Sequence, residues 1–179
     1  MVLESLGRYR QLLSGKKSCR ARLLWNVQKN PMKVWHKDEE DFSDDMRNFL
    51  ERDLKNLVIN REVQLNRGRQ GEPGSRTDIW IEVIDGAHAN KLALCIEVKG
   101  SWNRSAKDAL ENQLIRKYMG DGGADAGILV LGWFDAEPPY VSRNVWNTME
   151  QAHVELMEQA AGARSRGFEI SSVVLDCQL

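Results

Sequence analysis

Residues 78–100 read DIWIEVIDGAHANKLALCIEVKG. Two runs rich in Ile, Val and Leu flank the turn-forming stretch 86–90, the pattern of a β-hairpin. Side chains alternate along a strand. In the first run this places Thr77, Ile79, Ile81 and Val83 on one face, and Asp78, Trp80 and Glu82 on the other. In the second, Leu92, Leu94, Ile96 and Val98 oppose Ala93, Cys95, Glu97 and Lys99. An antiparallel hairpin sets the start of its first strand against the end of its second. Asp78 is therefore expected beside Glu97 or Lys99 at one edge of a sheet. Buried charge is costly unless something compensates it: solvent, an internal ion pair, or a metal ion and a phosphate.

Upstream of the hairpin, residues 58–65 are β-patterned with Glu62 inside, and the loop 66–75 carries Gly, Arg and Pro73. Before them, Met46, Phe49, Leu50, Leu54, Leu57 and Val58 recur at helical spacing. Ser43 is a good N-cap, with Asp44 and Asp45 at the positive end of the dipole. The expected helix runs from Ser43 to Val58. Downstream, a helix is expected from Ser105 to Gly120, and AGILVLGWF reads as a strand covered on both faces. A long helix over Ser142–Ala163 and a final strand follow. The class is α/β: a central mixed sheet with flanking helices and crossovers. Residues 1–36 read as an N-terminal helical or linker segment, with a short helix over Leu3–Leu13 and a break at Gly15. Residues 37–179 read as the main domain.

The chain has 179 residues, 42% of them hydrophobic, which suits one domain with a real core. Its formal net charge is −1, so any nucleic-acid signal must lie in how charge is distributed. Three scattered cysteines (Cys19, Cys95, Cys177) argue against a disulfide framework and, with three isolated histidines, against zinc. The expected setting is reducing and cytoplasmic, with no membrane partner: no apolar run approaches spanning length.

Two carboxylates converging on one point repel, which raises a pKa or recruits a cation. Oxygen ligands without His or Cys favour Mg²⁺, or Mn²⁺ in its place. A neighbouring lysine can hold an attacking water or steady charge on phosphorus oxygens.

Asp78 followed by Glu97-Val98-Lys99 resembles the motif of the PD-(D/E)XK nuclease superfamily, the restriction-endonuclease-like fold. Thr77-Asp78 stands where that motif has Pro-Asp, so only the acid matches; Glu97-x-Lys99 matches in full. The family's αβββαβ core resembles the expected order from Ser43 to Phe134. Gln113 and Tyr118, on the helix after the Glu-x-Lys strand, resemble a Gln/Tyr pair of the RecB-nuclease-like branch. The gap is five rather than the usual four, which favours Gln113 over Tyr118.

The resemblance implies phosphodiester hydrolysis leaving a 5′-phosphate and a 3′-hydroxyl. Asp78, Glu97 and the Val98 carbonyl would hold Mg²⁺, Lys99 would orient the water, and Gln113 would complete the catalytic set. An acid on the first helix often joins such sites, and Asp44, Asp45 and Glu51 are the candidates. Arg61, Arg67, Arg69 and Arg76 precede the site, while Arg104, Lys107, Arg116 and Lys117 follow it, where phosphates need them. Trp102 and Asn103 could stack on or hydrogen-bond to a base or sugar. The expected partner is nucleic acid, DNA before RNA, with other domains of a larger defence or repair protein and a homodimer as further partners. The alternative is an inactive nuclease-fold module that binds nucleic acid or protein. Among plainer readings, the run Asp38–Asp45 is a solvated helix entrance, Glu62 pairs with an arginine, and Glu82 is exposed. Trp80, Trp133 and Trp146 anchor the core, and His88 and His153 are incidental.

Overall fold

The computed structural model describes residues 1–14, 20–30, 32–55, 57–61, 63–66, 75–85, 90–121, 123–135 and 143–179. Expectations for Gly15, Cys19, Glu62, Arg67, Arg69, Pro73 and His88 lie outside the described residues, as does the helix start expected at Ser142.

Helix α1 (Val2–Ser14) is followed by a 3₁₀ turn (Arg20–Leu24) and a hairpin of β1 (Trp25–Lys29) and β2 (Met32–His36). Then come α2 (Glu39–Asp53), β3 (Val58–Arg61), β4 (Gln64–Asn66), β5 (Ser75–Arg76), β6 (Ile79–Asp85) and β7 (Asn90–Gly100). A 3₁₀ turn (Arg104–Lys107) leads into a π-helix (Leu110–Asp121), β8 (Ala126–Trp133), α3 (Met149–Ser165) and β9 (Glu169–Asp176). The main sheet has five strands in the order β3-β6-β7-β8-β9. β3, β6 and β7 pair antiparallel, as the hairpin pattern predicts; β7, β8 and β9 pair parallel. The protein is thus a mixed α/β fold. The strand expected over 58–65 splits: β3 joins the main sheet, while β4 pairs with β5 in a small ladder of its own.

Helices cover both faces of the sheet. Ile79, Ile81, Ile96, Val98 and Val130 pack with Met46 and Leu50 of α2 and Leu6 and Tyr9 of α1. Leu13, Leu24 and Trp25 join that core too. On the other face Trp80, Cys95, Leu129, Leu131 and Trp133 meet Leu114 and Tyr118 of the π-helix and Leu156 and Ala160 of α3. Fully burying one such aliphatic or aromatic side chain is worth about 1.5–3 kcal/mol. β8, covered on both faces, is the nearly continuous apolar run. Trp80, Trp133 and Trp146 are buried, as are the free thiols Cys95 and Cys177. Among the described residues, no helix is long and apolar enough to cross a membrane.

Two helix starts differ from expectation, because a local cap outcompetes the nominal one. α2 begins four residues before Ser43: Asp38 is its cap, accepting from the Asp41 N–H at 2.8 Å. Ser43 lies inside the helix and donates back to the Glu39 carbonyl. Asn103, rather than Ser105, caps the turn before the π-helix. Thr148 caps α3, accepting from the Gln151 N–H.

Candidate functional site

The register of β6 on β7 sets Ile79 opposite Ile96. Asp78, one residue before Ile79, is therefore level with Glu97. Its Oδ2 accepts the Val98 N–H at 2.7 Å, taking a backbone donor just past the end of the β6 ladder. β7 is the central strand, and pairing changes there from antiparallel to parallel. Glu97 and Lys99 thus stand near the carboxyl end of the middle strand, where open α/β sheets form crevices, rather than on an edge strand.

Glu97 is 2% exposed and Lys99 7%. The Lys99 ammonium donates to Glu97 Oε1 at 2.6 Å, and the Tyr118 hydroxyl donates to Glu97 Oε2 at 2.8 Å. Asp78 is half-buried. Val98 turns its side chain into the opposite core.

A third acid completes the cluster. Glu39, the first residue of α2, comes within 3.7 Å of Lys99. Its Oε1 accepts the Gly100 N–H at 2.7 Å and the Asn103 amide at 2.8 Å. The first-helix acids expected here are used elsewhere. Asp44 pairs with Arg61, Asp45 with Arg20 and the Tyr9 hydroxyl, and Glu51 with Arg47. The acidic run at the helix entrance is therefore not merely solvated: shifting the cap to Asp38 aims Glu39 at the sheet.

Three carboxylates around one ammonium leave an excess of negative charge. Burial, then the charge of Glu97, lifts the Asp78 carboxyl to about 7, against the pull of Lys99 and the Val98 N–H. Burial also lifts Glu97, although Lys99 and Tyr118 favour its ionised form. For Lys99, burial alone would lower the pKa. Glu97, Glu39 and Asp78 overcome it and raise the value, so Lys99 is a charged donor at neutral pH.

Tyr118 reaches the site and Gln113 does not bond to it. Both stand on the π-helix, whose i→i+5 bonding brings residues five apart one above the other, as i→i+4 bonding does for residues four apart. The odd gap is thereby matched by the helix geometry. Gln113 Oε1 is buried with no hydrogen-bond partner among the described residues. Sequence spacing favours Gln113, whereas it is Tyr118 that hydrogen-bonds to Glu97.

Trp102 is not a free stacking platform. It lies flat on His36, with ring centroids 3.4 Å apart, and edge-on to Phe134. Gly100 makes room for it: a Cβ there would fall 2.4 Å from the indole. Asn103 is committed to its cap and to Glu39. Of the basic residues, Arg61 pairs with Glu40 and Asp44, whereas Arg104 and Lys117 are exposed. Glu82 is half-buried and accepts from the Trp80 indole, not exposed as the alternation suggests.

Among the described residues, no three His, Cys, Asp or Glu side chains form a group that could hold a metal ion. Asp78 and Glu97 offer a two-carboxylate donor set, the number Mg²⁺ commonly takes while keeping several waters. No family model, curated protein or solved structure matches the chain.

Proposed function

We propose that the chain is a metal-dependent nuclease domain of the PD-(D/E)XK type, with the restriction-endonuclease-like core, hydrolysing phosphodiester bonds of nucleic acid, DNA in preference to RNA. One observation carries this reading: the register brings Asp78 level with a buried Glu97–Lys99 pair at the carboxyl end of the central strand. The elevation of both carboxyls, by burial first and for Asp78 by the charge of Glu97 as well, supports it, since such a pair relaxes when it shares a cation.

Asp78 and Glu97, with the Val98 carbonyl, would hold Mg²⁺ or Mn²⁺. Such an ion, when bound, polarises a phosphoryl oxygen and lowers the pKa of its water. The remaining work belongs to side chains. Lys99, kept charged by its acidic neighbours, donates to the attacking water or to a non-bridging oxygen as charge builds there. Glu39 holds the lysine near the strand end when it turns from Glu97 towards substrate. Tyr118 fixes the orientation of Glu97. Exposed Arg104 and Lys117 supply phosphate contacts. Water adds to phosphorus, the P–O3′ bond breaks, and the proton that the water gives up passes to the departing 3′ oxygen.

Both oxygens of Glu97 are already engaged, by Lys99 and by Tyr118. That favours a second reading, a module of this fold that binds nucleic acid or a protein without cutting. Incubating plasmid, linear duplex, single-stranded DNA and RNA with Mg²⁺ or Mn²⁺ separates the two. Metal-dependent cleavage lost in Asp78→Ala and Lys99→Ala supports the nuclease. Binding without cleavage, insensitive to those substitutions, supports the module. A place as the effector domain of a larger bacterial defence or repair protein, and action as a homodimer, are further parts of the proposal.

A further inference from the structure

Between Glu4 and Asp38 the chain carries nine Lys and Arg and no acid, so residues 5–37 hold +9 against −10 over the rest. Part of that charge is spent inside the fold. Arg8 pairs with Asp53, Arg20 with Asp45, and Arg10 donates to the Val174 carbonyl. Lys29 and Lys33, on the outer half of the β1–β2 hairpin, are exposed, and among the described residues neither has a carboxylate partner. The inner half of the hairpin is anchored. Trp25 is buried and donates its indole N–H to the Cys177 carbonyl, and the Lys37 N–H closes on the Leu24 carbonyl. His36 stacks on Trp102, two residues past Gly100. The hairpin therefore rises from the same end of the sheet as Glu97 and Lys99.

The outer half lies off the core: Val27 is 40% exposed and Met32 72%. β1 and β2 form a sheet of their own, and a lone two-stranded ribbon adds little stability in water. The register sets Lys29 on the face of Trp25, and Lys33, opposite Gln28, on the face of Trp35. Cations on both faces suit a groove walled by phosphates on either side, and the major groove of a duplex admits a two-stranded ribbon. The three residues from His36 to Lys33 span about 10 Å, about three base pairs of duplex. The acids Asp38 to Asp41 gather at the foot of the hairpin, beside Trp35, which keeps phosphates to its outer half. We propose that this outer half is an arm that grips a nucleic-acid duplex by its phosphates through Lys29 and Lys33, beside the Lys99 cluster. Its place on the rim of the candidate site favours the substrate over an acidic protein as the occupant. The inference rests on the nucleic-acid reading of that site and adds to it a contact outside the sheet and its covering helices.

The test titrates a short labelled DNA duplex with the whole chain in chelator, where no metal-dependent cleavage occurs, and follows anisotropy over a range of salt. Lys29→Gln combined with Lys33→Gln should weaken binding roughly tenfold at low salt and reduce the slope of log K against log salt by about 2. Arg52→Gln combined with Lys55→Gln removes the same charge from exposed positions at the far end of α2 and should leave both values near those of the parent. Poly-glutamate should bind more weakly than the duplex. Equal losses in the two double variants, poly-glutamate bound as tightly as the duplex, or no saturable binding of the duplex by the parent would overturn the proposal. The two readings fail separately: cleavage with binding indifferent to Lys29 and Lys33 overturns the arm alone, and arm-dependent binding without cleavage in Mg²⁺ or Mn²⁺ overturns the nuclease alone.

Discussion

The Tyr118 hydroxyl donates to Glu97 Oε2 at 2.8 Å, joining the π-helix to the central strand through a carboxylate that is almost wholly buried. A hydrogen bond to a charged group is worth about 1.5–3 kcal/mol. Tyr118→Phe removes it while keeping the ring. The expected outcome is a loss of about 1–3 kcal/mol in urea unfolding at pH 8, where Glu97 needs the bond most. Under the nuclease reading, cleavage should also slow. Unchanged stability at pH 8 would mean that the bond does not hold Glu97.

Proton linkage gives a second prediction. In the fold the Asp78 carboxyl is lifted to about 7, whereas unfolded it titrates near ~3.9. Between those values the folded chain binds the extra proton, so stability falls as pH rises. The contribution is fully present below the unfolded pKa and lost as pH passes through about 7. The upward shift of Glu97 adds in the same direction. Lys99, also raised, loses its contribution only at alkaline pH and leaves this window alone. Thermal unfolding in chelator at stepped pH should show the decline, and Asp78→Asn should flatten it.

The sheet was legible in the sequence because β-patterned runs 79–85 and 92–99 leave little freedom: one register buries Ile79, Ile81, Ile96 and Val98 together. That same register sets Asp78 level with Glu97. Glu39 was hidden for a different reason. Asp38 and Ser43 are both good caps, and the six carboxylates from 38 to 45 have no periodicity that singles one out. Only the long-range bonds of Asp44 and Asp45, to Arg61 and Arg20, take those two out of contention. The π-helix was equally hidden, since hydrophobic spacing does not record whether a backbone N–H reaches four residues back or five. Nor does local pattern show that Tyr9 of α1 bonds to Asp45, 36 positions on, which ties α1 to α2.

Lys99→Met leaves Glu97 buried without its counter-charge. Breaking a buried pair by removing one partner costs about 3–5 kcal/mol. Glu97 can escape part of that cost by taking up a proton. The variant should therefore be far less stable than the parent at pH 8 and closer to it at pH 5, measured by chemical denaturation. Glu97→Gln combined with Lys99→Met should recover much of the loss. A deficit independent of pH would show that the charge is not what matters.

Glu39→Gln keeps an acceptor for the Gly100 N–H but removes the charge facing Lys99. Groups that support a metal ligand typically contribute 10–100-fold in affinity or activity, an order-of-magnitude guide for this lysine clamp. Under the nuclease reading, cleavage by Glu39→Gln should fall by roughly that factor, with folding largely retained. Asp44→Asn and Glu51→Gln, whose carboxylates serve other partners, should leave the rate near the parent value. The reverse ranking would return the first-helix role to one of those acids.

The central claim is that Asp78 and Glu97 share one divalent cation beside Lys99. Anomalous scattering from a crystal soaked in Mn²⁺ at pH 8 tests it most directly. The account predicts one strong peak in contact with both carboxylates, absent from Asp78→Asn treated identically. A soaked crystal with no peak at that pair, or with manganese bound only at other residues, would contradict it.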